Sequence, residues 1–248
     1  MAVLTVPRGL HGRTEHIRGI LFDKDGTLVD YAKTWTAVNR RAAQLAAGGD
    51  GDLCNRLLIV GGADPETGQA AAGGLLAMGC TVEIASAWVS AGARTDVERL
   101  TRALDELFLS AVERAVPVTD LKALLSRLRA RRLKLGIASS DSEAAVRATA
   151  IHFGIDGLLD FRSGYDSGFS VKPAPDAVAA FCASAGLAAL EVAVIGDSVN
   201  DMLMGRSAGA GINIGILSGT SAVTDLSAYA DICIESVTDV ECALFRQD

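Results

Sequence analysis

The sequence predicts an α/β protein: a doubly wound parallel sheet with a helical insert after its first strand. Three observations carry this expectation. Beyond Pro117, short apolar runs alternate with amphipathic stretches over short links, and parallel strands need such crossover helices. A single similar run, residues 17–22, stands far upstream. Between the two lie roughly 85 residues with helical periodicity, far more than one crossover requires.

Taken in order, residues 17–22 are apolar, short, and stop abruptly at Asp23 before the turn signal of Gly26, which favours a buried strand. Residues 32–47 and 96–115 repeat apolar positions every three or four residues, with charges such as Arg99, Arg102, Asp105 and Glu106 between them, so both are expected to be helices. The glycine-rich stretch 61–68 must be a loop. Thr119 or Asp120 can cap a helix to about Arg132. Strand 133–138, helix 142–153, strand 157–161, helix 173–185, strand 192–195 and helix 200–208 follow, and strands 211–216 and 231–234 close the sheet around a short helix at 221–229. The division expected is a core of residues 1–30 and 117–248 and an insert of residues 31–116.

Composition narrows the function. A chain of 248 residues, half of them apolar, can bury a full core. Its formal charge of −7 argues against nucleic acid as the main partner, while leaving room for small phosphate esters at a locally positive site. Five cysteines, with no C-x-x-C pair, read as buried thiols in a reducing compartment. No apolar run is long enough to span a bilayer, and residues 1–16 lack the apolar segment of a secretion signal, so no membrane association and a cytoplasmic location are expected. His11, His16 and His152 are scattered and not expected to be ligands, and Trp35 and Trp88 are expected to be packing residues of the insert.

Ligands of an open parallel sheet bind beyond the carboxyl ends of its strands, so the residues after each strand are the informative ones. They are Asp23-Lys24-Asp25-Gly26-Thr27, then Ser139, Ser140 and Asp141, then Gly196-Asp197-Ser198 with Asn200 and Asp201 behind; Lys172 precedes the helix expected from Pro173. Converging Asp23, Asp25, Asp197 and Asp201 would repel unless a cation joined them, and Mg2+ suits carboxylate and carbonyl oxygens with phosphate and water completing its shell. Lys172, the Ser139 and Ser140 hydroxyls, and helix N-termini would hold phosphate oxygens. The chemistry that fits is phosphoryl transfer. Of Asp23 and Asp25, one can attack phosphorus while the other protonates the leaving alcohol and later accepts a proton from water.

At these residues the sequence resembles the haloacid dehalogenase-like superfamily, in particular its phosphoglycolate phosphatase-like branch. Its D-x-D-G-T motif is matched at Asp23–Thr27, its strand-closing Ser or Thr by Ser139, its Lys (often followed by Pro) by Lys172-Pro173, and its G-D-x-x-x-D by Gly196–Asp201. The resemblance implies a Rossmann-like core. It makes Asp23 the nucleophile and a Mg2+ ligand, and Asp25 the acid/base that lends its backbone carbonyl to the metal. Ser139 and Lys172 become phosphoryl-binding groups, Asp197 a metal ligand, and Asp201 a ligand through water or an orienter of Lys172. An Asp at position 25 favours a phosphatase or phosphomutase over a dehalogenase. Since 111 residues separate Thr27 from Ser139 and only 32 separate Ser139 from Lys172, the insert resembles the family's helical, first-position cap. The loop 61–68, with Asp64, Glu66 and Thr67, is the candidate for insert residues facing the site. The activity expected is hydrolysis of a small phosphomonoester such as phosphoglycolate. Transfer between positions of a sugar phosphate, and a non-catalytic binding protein, are the alternatives.

Overall fold

A computed structural model describes residues 11–245. A short helix α1 (His11–Thr14) precedes strand β1 (Gly19–Phe22). The insert holds α2 (Tyr31–Ala47), α3 (Gly51–Val60), α4 (Leu75–Met78), α5 (Thr81–Ser90) and α6 (Val97–Ala111). The chain then alternates: α7 (Leu121–Ala130), β2 (Lys134–Ala138), α8 (Glu143–His152), β3 (Phe161–Ser163), α9 (Asp176–Ala185), β4 (Val192–Gly196), α10 (Val199–Ala208), β5 (Ile212–Ile216), α11 (Val223–Leu226), β6 (Ile232–Ile234) and α12 (Val240–Phe245). All strand pairs are parallel, in the order β3-β2-β1-β4-β5-β6. The order reverses between β1 and β4, where doubly wound sheets bind their ligands.

Strand periodicity sorts the core into two faces. Ile20, Phe22, Leu135, Ile137 and Ile195 pack with Leu124 and Leu128 of α7 and Val146 of α8. Leu21, Ala138 and Val194 pack on the other face with Val178 and Phe181 of α9 and Met204 of α10. Two strand glycines admit α9: a Cβ on Gly136 would stand 3.0 Å from the Phe181 ring, and one on Gly19 would stand 3.1 Å from that ring and 2.5 Å from Leu187 just past the helix. The ring is fully buried, worth about 1.5–3 kcal/mol.

The insert has a core of its own, including Trp35, Leu57, Trp88, Leu100, Leu104 and Phe108. Asp30 caps α2 by accepting from the Lys33 N–H, and Asp96 caps α6 through Arg99. The chain leaves and rejoins the sheet side by side: Asp30 N–H donates to Val116 O (2.8 Å) and Val118 N–H to Leu28 O (3.0 Å).

Several elements depart from expectation. The strand expected at 157–161 begins at Phe161, because Asp156–Leu158 turns as a 3-10 helix and Leu159 enters the core from the loop. The helix expected from Pro173 starts at Asp176, after a cis Lys172–Pro173 bond. The helix at 221–229 shrinks to Val223–Leu226. Four of the five cysteines are buried as expected, but Cys242 is exposed; all five are free. His16 and His152 are exposed, and the side chain of His11 lies outside the described ones. Among the described residues no helix is long and apolar enough to cross a membrane.

Candidate active site

β1 hands its ladder directly to Asp23, whose N–H donates to Ile195 O of β4 at 2.7 Å. The next residues turn back at once, with Leu28 and Val29 N–H donating to Lys24 O. Gly26 makes this turn possible. Its φ is +84°, and a Cβ there would lie 2.3 Å from Asp197 Oδ2. From β4, Gly196 similarly clears space for Asp201, which a Cβ at position 196 would overlap. Ser198 caps α10 and closes a capping box: Asp201 Oδ2 accepts from Ser198 N–H (3.1 Å) and Oγ–H (2.5 Å). The other Asp201 oxygen is thereby aimed at Lys172.

Lys172 Nζ donates to Asp23 Oδ1 and Asp201 Oδ1, both at 2.6 Å. Asp197 Oδ2 accepts from the Thr220 N–H at 2.8 Å. One carboxylate oxygen from each of Asp23, Asp197 and Asp201 falls within 4.8 Å of the others. Burial pushes Asp23 up to about 7, with help from Asp201 and Asp25, although Lys172 pulls the other way. Burial and the same kind of repulsion raise Asp197 well above the usual carboxylate range. Burial should lower Lys172, but Asp201 and Asp23 outweigh it and raise its pKa. Three crowded, buried oxygen donors, two of them with raised pKa values, are the chemistry a hard divalent cation satisfies.

All seven residues singled out from the sequence, Asp23, Asp25, Ser139, Ser140, Lys172, Asp197 and Asp201, line one cavity of about 70 Å³. Ser139 Oγ accepts from Asp141 N–H (3.1 Å) just ahead of α8, whose N-cap is Ser142. Ser140 also donates to Met78 O of the insert (3.2 Å).

A profile of the haloacid dehalogenase-like hydrolases matches residues 17–209. The chain belongs to that family. Among similar proteins, this haloacid dehalogenase-like hydrolase is 28% identical to a phosphoglycolate phosphatase of Yersinia pestis, over 87% of the chain and 91% of the relative. It is 26% identical to one of Photorhabdus laumondii, over 78% and 77%. In fold it is similar to CbbY from Rhodobacter sphaeroides, solved with phosphate (TM-score 0.67, 18% identity, 90% of this chain and 96% of that one). A haloacid dehalogenase-like protein of Streptococcus pneumoniae is equally similar (TM-score 0.67, 19% identity, 94% and 100%).

The hydrolase's cavity also has walls that the sequence did not reveal. Asp64, Glu66 and Thr67 do not line it. Asp64 Oδ1 is occupied within its own loop by the Glu66 and Thr67 N–H groups. Tyr31, Trp35 and Asn39 of α2 take the place assigned to that loop, together with residues 76–79 and Thr81. The α2 trio recurs every four residues, the spacing of one helix face, and that was the signal available. Trp35 is more than packing: its indole N–H donates to Asp25 Oδ1 at 2.6 Å. Lys24 is buried, with Nζ 2.5 Å from Asp25 Oδ2 and 3.2 Å from Asp141 Oδ2. Burial works against its charge, but Asp25 and Asp141 prevail and raise its pKa. Thr220 and Gly219 went unnoticed although they follow β5, the next strand along the same edge.

Proposed function

We propose that the chain is a Mg2+-dependent phosphatase that hydrolyses a small phosphomonoester through a phosphoryl group carried on Asp23. The observation that supports this most is the meeting of Asp23 with Lys172, Asp197 and Asp201 in one buried cluster, at the edge where the sheet's order reverses. In this reading Asp23, Asp197 and Asp201 hold Mg2+ with the backbone carbonyl of Asp25, and the ion favours the ionised carboxylates and offsets phosphate charge.

Lys172, Ser139 and Ser140 bind the phosphoryl oxygens, with N–H groups at the start of α8 behind them. An Asp23 oxygen attacks phosphorus as the ester P–O bond breaks, and Asp25 gives its proton to the departing alkoxide. Asp25 then takes a proton from water, whose oxygen displaces Asp23 from phosphorus and releases inorganic phosphate. Residues 31–116 act as a cap that excludes bulk water and shapes the leaving-group space. The phosphoglycolate phosphatases among the relatives make phosphoglycolate the leading candidate substrate.

The test is phosphate release from a panel of phosphate esters with Mg2+. Free phosphate is expected, whereas an isomerised ester without phosphate release would point to a mutase. Asp23→Asn is expected to lower kcat at least about 10³-fold with unfolding unchanged; a mutant that turns over like wild type removes the mechanism.

A further inference from the structure

Lys24 lies between the two aspartates that carry the chemistry, yet its side chain is only 1% exposed. Burying a lone ammonium costs several kcal/mol unless carboxylates answer it. Two do, one from its own turn and one from the segment after β2. The Asp25 carboxylate is thereby held at both oxygens: Oδ2 by Lys24 at 2.5 Å and Oδ1 by the Trp35 indole at 2.6 Å. Lys24 Nζ also stands 5.1 Å from the centre of the Trp35 ring, and that ring meets Phe108 edge-on at 5.5 Å. So three separate elements, the β1 turn, the residues after β2 and a helix of the insert, converge on one side chain.

The site's two lysines divide the work. Lys172 serves Asp23 and Asp201 on the nucleophile side. Lys24 faces Asp25 and Asp141 on the other side. An apolar residue at position 24 would leave those two carboxylates facing each other without a cation. Because Trp35 belongs to the insert, its bond to Asp25 exists only while α2 rests against the β1 turn.

We propose that Lys24 and Trp35 are positioning residues that fix the Asp25 carboxylate for proton transfer to the leaving group. This rests on the phosphatase reading above. In the first half-reaction the acid matters only where the departing group needs a proton: an alkoxide does, p-nitrophenolate does not; the later attack of water on phosphorylated Asp23 is the same for both esters. Lys24→Met and Trp35→Phe are therefore expected to lower the single-turnover rate of alcohol release from an alkyl phosphate about 10–100-fold. The single-turnover release of p-nitrophenolate should change less than about 3-fold, with the half-saturating concentration of either ester little moved. Lys24→Arg should recover part of the loss. Trp35→Phe keeps the ring edge on Phe108, so it remains informative if Lys24→Met folds poorly.

A second readout needs no turnover. The chain has two tryptophans, hence two indole N–H signals, and Trp35→Phe identifies one of them. Lys24→Met and Asp25→Asn should shift the Trp35 signal and leave that of Trp88 in place. Equal losses in this first step on both esters, or a Trp35 signal indifferent to both substitutions, would overturn the proposal. Wild-type silence on both esters would instead sink the phosphatase reading, and the indole signal would still decide whether the clamp exists.

Discussion

Asp197 is confined from two directions by residues that have no side chain. A Cβ on Gly26 would lie 2.3 Å from its Oδ2, and one on Gly219 would lie 2.0 Å away. Neither approach can be relieved cheaply, because the atom met belongs to a buried carboxylate already bonded to Thr220. Gly26 carries a second constraint, its φ of +84°, which Gly219 does not share. Gly219→Ala is therefore expected to cost about 1–3 kcal/mol through overpacking. Gly26→Ala should cost about 1–2 kcal/mol more for the left-handed backbone. Urea unfolding of the two variants checks the order, and equal costs would mean that the backbone conformation contributes nothing. Gly26 was legible because D-G announces a turn; Gly219 was not, because its reason is a neighbour contributed by another strand. Asp23, Asp25 and Asp197 were readable for a similar reason, standing just after strands, and Lys172 because it precedes a helix. The buried role of Lys24 was not, because its pairing with Asp141 joins the turns after two different strands and leaves no local pattern.

Helices α2 and α6 could be read from their spacing because each buries one stripe; that of α6 is Leu100, Leu104, Leu107 and Phe108. Helix α3 blurs its own pattern by exposing Ile59 and Val60, and α4 is a single turn. β3 starts later than expected because Leu158 and Leu159 look like strand residues, but Leu158 ends a 3-10 turn and Leu159 packs from the link after it. Asp160 fixes the true register. Its N–H donates to Leu135 O (2.7 Å), and its carboxylate accepts from the Leu135 N–H (2.9 Å), Lys134 (3.1 Å) and Arg129. Burial alone would raise the Asp160 pKa, but the Leu135 N–H, Lys134 and Arg129 together hold it below the usual range. The stabilisation is complete at neutral pH and is lost as pH falls through that depressed value. Asp160→Asn should cost about 1–3 kcal/mol at neutral pH. The gap to wild type should close on acidification. A gap that persists in acid would show that the side chain's contribution is not electrostatic.

The architecture of the whole molecule was the most legible part, since alternating strands and helices with one long interruption admit few arrangements. What the sequence could not convey is how closely insert and core engage. Trp35 bonds Asp25, Ser140 bonds Met78 O, and the Tyr165 hydroxyl donates to Asp105 of α6 at 2.7 Å. Two of these bonds join residues 60 or more apart in the chain, and the third ends on Asp25, the proposed acid/base. In the proposed mechanism an insert held this way keeps water from a phosphoryl group on Asp23 until Asp25 is placed to use it. That phosphoryl group can be sought directly by acid-quenching the enzyme during turnover of a phosphate ester with Mg2+ and mapping its peptides by mass. One phosphoryl group on the peptide containing Asp23, absent from Asp23→Asn, is the expected result. Sustained turnover with that peptide unmodified, or with the group on another residue, would contradict it.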